Sequence, residues 1–182
     1  MSLGEMLREA TRDLHVEAER SGVIGQLLRG GGTREAYALL LRNLLPAYRA
    51  MEDGLVRHAR SPALHAMARP ELFRTAALQS DVEQLAGSSW RESLPLLPAG
   101  ERYAERVAAA AADGSGPLVA HAYLRYLGDL SGGQIMKRLL AKSLGLEADA
   151  LAFYDFPAIA DLSAFKSEYR RGKFRGAGCQ FI

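Results

Sequence analysis

The stretch "YLRYLGDLSGGQIMKRLL", residues 123–140, decides how this chain folds. It opens and closes with good helix formers, yet its centre holds Gly128, Asp129, Ser131, Gly132 and Gly133. A glycine inside a helix costs about 1 kcal/mol relative to alanine, so three of them cost about 2–3 kcal/mol. The flanks are strong enough to predict one long helix anyway, from Pro117 in its first turn to about residue 144, with a soft and kinked centre. Two readings account for the weak formers. Small residues let two helices pack closely, or they let a flat ligand lie against bare backbone at Gly128, Gly132 and Gly133. Asp129 suits the second reading better, since a plain packing interface disfavours a carboxylate.

The rest of the chain supports a helical bundle around this segment. Its 182 residues suffice for one domain with a sizeable core, and 48% are hydrophobic against 24% charged. Ala and Leu dominate while Val and Ile are few, which favours helix. Apolar periodicity marks a first helix over 3–20, with Ser2 and Glu5 as a capping box, and a second over about 34–58, capped by Thr33 and carrying Tyr37, Leu41, Tyr48, Met51 and Leu55 with Pro46 inside. A short helix near 62–67, another over about 71–86, a loop through "SSWRESLPLLPAG" and a helix over 99–112 follow. A turn region precedes a last helix that starts at Asp161 or Ser163. The expectation is an all-α, single-domain bundle of six to eight helices spanning 1–182.

Charge and cysteine usage exclude several classes. A net charge of +2, with no long basic block, does not point to nucleic acid. The single cysteine, Cys179, allows no internal disulfide and fits a reducing compartment. The N-terminus does not read as a secretory signal, and no apolar run approaches the 18 or so residues a membrane helix needs. A cytoplasmic protein is the expectation.

A flat ligand with a metal at its centre would need an axial partner. His15 is a candidate because Glu19, four residues on, shares its helical face and could take a hydrogen bond from the imidazole nitrogen that does not bind metal. By residue type alone His58, His65 and His121 are equally available.

Four segments in order resemble the biliverdin-forming heme oxygenases: "ATRDLHVEAE" at 10–19, "AHAYLRYLGDLSGGQIMKR" at 120–138, "FYDFPAI" at 153–159 and "FKSEYRRGKF" at 165–174. The resemblance covers about residues 3–175. It implies heme b held between a proximal N-terminal helix and the kinked Gly-rich helix. By resemblance, His15 is the proximal iron ligand and Glu19 the carboxylate that orients it. Gly128 and Gly132 lie over the heme, Asp129 is the catalytic aspartate of a distal water network, and Tyr48 and Arg125 support it. Arg8, Tyr123, Lys166 and Arg170 hold the propionates, and Ile24 and Leu27 line the pocket.

The implied activity is cleavage of heme with O2 and external electrons, at the α-meso carbon, to biliverdin, CO and iron. Without a nucleotide-binding glycine motif, electrons must come from a ferredoxin or flavoprotein reductase. A monomer that passes its product to a bilin-accepting protein, or releases iron, completes the expectation. The alternative is a heme store or sensor, which has no need of the Asp129, Tyr48 and Arg125 set. Thiamin-related hydrolysis, which a similar bundle could support, normally wants a nucleophilic cysteine, and Cys179 lies too near the terminus.

Overall fold

The computed structural model describes residues 9, 12–114 and 116–175, with the backbone alone at 62, 63 and 171–175. Every regular element among them is helical. The central one is a 24-residue helix, Arg34–Arg57 (α3), whose start is capped by Thr33 Oγ1 accepting from Ala36 N at 3.1 Å. Tyr37, Leu41, Leu45, Tyr48, Met51 and Leu55 recur every three or four residues and are all buried, so one stripe of α3 forms the axis of the core. Pro46 lies inside α3 without ending it.

Two helices pack along α3. Pro98–Asp113 (α7) approaches so closely at Gly54 that a methyl there would meet Ala111 Cβ at 2.6 Å. Thr75–Ala86 (α5) lies on another side and is preceded by a 3₁₀ turn, Pro70–Leu72, so the helix expected over 71–86 is two elements with Phe73 extended between them. One-turn helices Pro62–His65 (α4) and Trp90–Ser93 (α6) fill the links, the second inside a segment expected to be a loop.

The N-terminal helix is described as Arg12–Arg20 (α1), with Gly22–Leu28 (α2) following at once; Gly22 takes φ +53°, which separates the two. Ser2 and Glu5 lie outside the described residues. The long helix expected from 117 to about 144 is two helices, Gly116–Asp129 (α8) and Gly132–Leu144 (α9). Ser131 leaves helical geometry, at φ −116° and ψ −81°, and its N–H turns back to Gly128 O at 3.2 Å. No proline is needed: glycine and serine lack the propensity to hold the chain helical through this point. Two 3₁₀ turns, Ala148–Ala150 and Ala152–Tyr154, then lead to Leu162–Arg175 (α10). Asp161 caps α10, its Oδ1 accepting from Ser163 N and Ala164 N at 2.8 and 2.9 Å. Among the described residues no helix is long and apolar enough to cross a membrane.

Candidate active site

The core stripe of α3 and the last turn of α8 bring Tyr48, Arg125 and Asp129 together. The Tyr48 hydroxyl donates to Asp129 Oδ2, and Arg125 Nε donates to that hydroxyl oxygen at 3.0 Å. Arg125 Nη2 lies 3.8 Å from Asp129 Oδ1, and the guanidinium sits 5.2 Å above the Tyr48 ring. The direction of each proton follows from the donors. An arginine Nε only donates, so the tyrosine oxygen accepts there and spends its own hydrogen on the carboxylate. Asp129 is therefore held as an acceptor. Burial pushes its carboxyl up, and Arg125 and the Tyr48 hydroxyl pull against that. Burial also keeps the Tyr48 phenol protonated, far above its ordinary value. It works against the Arg125 charge, but Tyr48 and Asp129 outweigh it and hold the guanidinium ionised.

Beside this network the backbone is bare. A methyl added at Gly128 or Gly132 would meet nothing within 4 Å, and both residues are exposed. Leu124 and Ile135, 68% and 51% exposed, continue the same strip at helical spacing on either side. Gly133 belongs elsewhere. A methyl there would meet Tyr154 Cδ1 at 2.6 Å, so its missing side chain admits the Tyr154 ring and not a ligand, a correction to the grouping of all three glycines. Gln134 ties the broken ends, its amide donating to Tyr154 O at 2.8 Å and to Asp129 O at 3.4 Å.

The proximal candidates are arranged differently. His15 Nδ1 lies 3.4 Å from Glu19 Oε1, which leaves Nε2 directed elsewhere, and the His15 side chain is 68% exposed. α1 buries none of its described residues, and Leu14 beside His15 is 67% exposed. On α10, Lys166 is half-buried and Arg170 exposed, one turn apart; Tyr123 on α8 is half-buried. Ile24 is half-buried, whereas Leu27 is packed into the core, against Gly32. Arg8 lies outside the described residues. A planar apolar ring with a central metal and acidic arms fits this set: an available imidazole nitrogen, exposed apolar side chains at Leu14, Leu124 and Ile135, open backbone at two glycines, and cations on α10.

Several buried polar residues escaped the sequence reading. Glu52 accepts from Arg74 N at 2.5 Å and Thr75 N at 3.1 Å, with the Tyr126 hydroxyl at 3.4 Å. Asp81 accepts from Ala152 N and Phe153 N at 2.9 and 2.8 Å, and burial pushes its carboxyl up to about 6. Through these bonds Asp81 fixes the turn whose Phe153 ring stands edge-on to Tyr48 at 5.4 Å. A carboxylate inside an apolar helical stripe is a signal that could have found both, since unpaired acids are almost never buried.

The geometry has its counterpart among known proteins. The heme oxygenase family model matches residues 1–172. The chain belongs to the heme oxygenase family. It is 39% identical over 171 residues to heme oxygenase 1 of Synechocystis sp., an alignment spanning 94% of this chain and 71% of that protein. Over 171 residues it is 40% identical to heme oxygenase 1 of Homo sapiens, covering 92% of this chain and 59% of the human one. The crystal structure of the Synechocystis enzyme in complex with heme superposes with a TM-score of 0.89 at 38% identity, over 99% of this chain and 81% of that one. The structure of heme oxygenase from Leptospira interrogans gives the same TM-score at 35% identity, over 99% and 88%. The fold is thus the all-α heme oxygenase fold, and the activity that goes with it is oxygen-dependent heme breakdown, with heme as cofactor and substrate together.

Proposed function

We propose that this chain, as one domain over 1–182, opens heme at the α-meso carbon to biliverdin, CO and iron, using Asp129, Tyr48 and Arg125 on the distal side and His15 on the proximal side. The observation that carries this reading is the buried Tyr48–Arg125–Asp129 network placed directly beside the open backbone of Gly128 and Gly132. Heme, when bound, supplies the iron that takes up O2 and the ring that is cleaved.

The chain's own residues do the rest. His15 would hold the iron through Nε2, because Nδ1 faces Glu19, which fixes the ring's orientation. Asp129 orders a water over the distal face and passes a proton through it. Arg125 and Tyr48 keep that carboxylate in place, so it need not reorganise during turnover. Gly128 and Gly132 would let the helix backbone lie against the ring, since neither carries a side chain to hold it off, and so restrict access on that side. Arg8, Tyr123, Lys166 and Arg170 would hold the propionates and so fix the ring's orientation.

Members of the family draw on a reductase for electrons, and here a ferredoxin or flavoprotein reductase would serve, docking on the basic rim around the heme edge. A cytoplasmic monomer is part of the same proposal. The second reading, a heme store or sensor, is disfavoured because storage has no use for a fully bonded carboxylate network beside the open backbone.

Titration with hemin followed by reductant in air tests this. One heme should bind per chain, and its Soret band should give way to the broad red absorption of biliverdin. A Soret band that survives those conditions would move the assignment to storage. His15→Ala should lose the histidine-ligated ferric spectrum; an unchanged spectrum would remove His15 from its role.

A further inference from the structure

Helix α3 carries a second feature that heme chemistry does not use. Arg42, Leu45, Pro46, Arg49, Ala50 and Asp53 form one wall of a groove of about 410 Å³, closed on the other side by Trp90 and Arg91 of α6. This volume lies within the range of small-molecule sites. Three guanidiniums stand against one carboxylate in its lining. Among the described residues none of the three arginines pairs with an acid. Arg49 Nη2 reaches Gln79 Oε1 at 3.5 Å, while Arg42 and Arg91 lie 5.3 and 4.2 Å from the Trp90 ring centre. Arg42 Nε is shut off from solvent with no hydrogen-bond partner among the described residues. Three guanidiniums gathered around a single carboxylate leave the groove with a net positive charge, and a chain whose net charge is only +2 has not placed them together as part of a broadly basic surface.

We propose that this groove is a binding site for a small polyanion bearing at least two phosphate groups. Guanidinium forks match phosphate oxygens in pairs, and arginines on two sides of a groove can engage two phosphates at once. Leu45, Pro46 and Ala50 give the floor an apolar strip that a ligand's uncharged part can cover. None of Tyr48, Arg125 and Asp129 lines the groove, so the site is separate from the catalytic one.

The chain's single tryptophan is its own reporter. Drawing Arg42 and Arg91 off the Trp90 ring onto a phosphate changes that ring's surroundings. Pyrophosphate titrated into the full chain, with and without heme, should give a saturable change in tryptophan fluorescence and a rise in melting temperature, both weakening as salt is added. Arg42→Gln and Arg91→Gln should each weaken binding at least tenfold. Arg49→Gln, at an exposed position, guards against loss of folding as the explanation and should weaken it several-fold. ADP serves as a second probe: affinity equal to pyrophosphate assigns the site to free polyphosphates, and tighter binding assigns it to nucleotides. Absence of a saturable response to either at millimolar concentration overturns the proposal. So does wild-type binding by the three variants.

Discussion

The two sides of the candidate heme site are built in opposite ways. On the distal side Tyr48 is 1% exposed and Asp129 5%, and each polar group is answered by another before any ligand arrives. On the proximal side His15 and Glu19 are 68% and 52% exposed on a helix that buries none of its described residues. The difference teaches which half of the chemistry needs rigidity. A network that must present a proton at a defined point is held by the core stripe of α3, where every side chain is fixed by packing. On the proposed reading, an axial imidazole needs only to reach the metal, and heme would cover the exposed apolar side chains of Leu14, Leu124 and Ile135.

Five variants test that contrast. The largest effect belongs to the distal side. Asp129→Ala should keep heme binding through His15 but lower biliverdin formation roughly 10²–10⁴-fold, the span expected for loss of a positioned proton donor. Single-turnover absorbance would measure it, and a wild-type rate would take Asp129 out of the mechanism.

Next come two neighbouring glycines with opposite surroundings. Gly133→Ala drives a methyl into the Tyr154 ring and should destabilise the heme-free protein by about 1–3 kcal/mol. Gly132→Ala faces open space and should leave that stability unchanged or raise it by up to about 1 kcal/mol, while heme affinity falls. Thermal melts beside hemin titrations separate the two; identical melts would mean Gly133 does not make room for Tyr154.

The third concerns Asp81, which sits behind the distal wall. Its folded carboxyl is pushed up to about 6, by burial first and Asp149 further, against the pull of the Phe153 and Ala152 N–H groups and Arg74. A raised acid favours folding while it is protonated. Its contribution is therefore present below its unfolded value near 4 and lost as pH rises through about 6. The loss is on the order of 1–3 kcal/mol. Asp81→Asn should flatten this falling limb in denaturant titrations between pH 4 and 7, and an unchanged slope would assign the limb to other groups.

The smallest effect sharpens the comparison most. His15→Ala should change heme-free stability by no more than about 0.5 kcal/mol, as expected for an exposed position. A larger loss in the melt would show the proximal helix to be part of the folded core before heme binds.

Much of this was legible beforehand, and the misses have physical causes. The α3 stripe, the caps at Thr33 and Asp161 and the helix over 98–113 follow from periodicity and capping chemistry, which are local. The break at Leu130 and Ser131 was read as a kink, because propensity says where a helix is weak and not whether its turns part. Gly133 is not separable for a related reason: glycines within six residues look alike in a sequence, and only the approach of Tyr154 from twenty-one residues away distinguishes one from the others. Glu52 and Asp81 were passed over because their partners are backbone N–H groups, which no residue name reveals.

By itself the sequence determined the helical class and the extent of most helices, since these depend on residue types and spacings along the chain, while the candidate site residues follow from its resemblance to a family. Only the tertiary structure decided which of those side chains meet. Tyr48 and Asp129 are 81 residues apart and Asp81 and Phe153 are 72 apart, contacts that depend on how helices pack and not on any local preference. The same packing decided that the distal network is closed and fully bonded while His15 stands open, because α3 lies at the centre of the core and α1 at its margin.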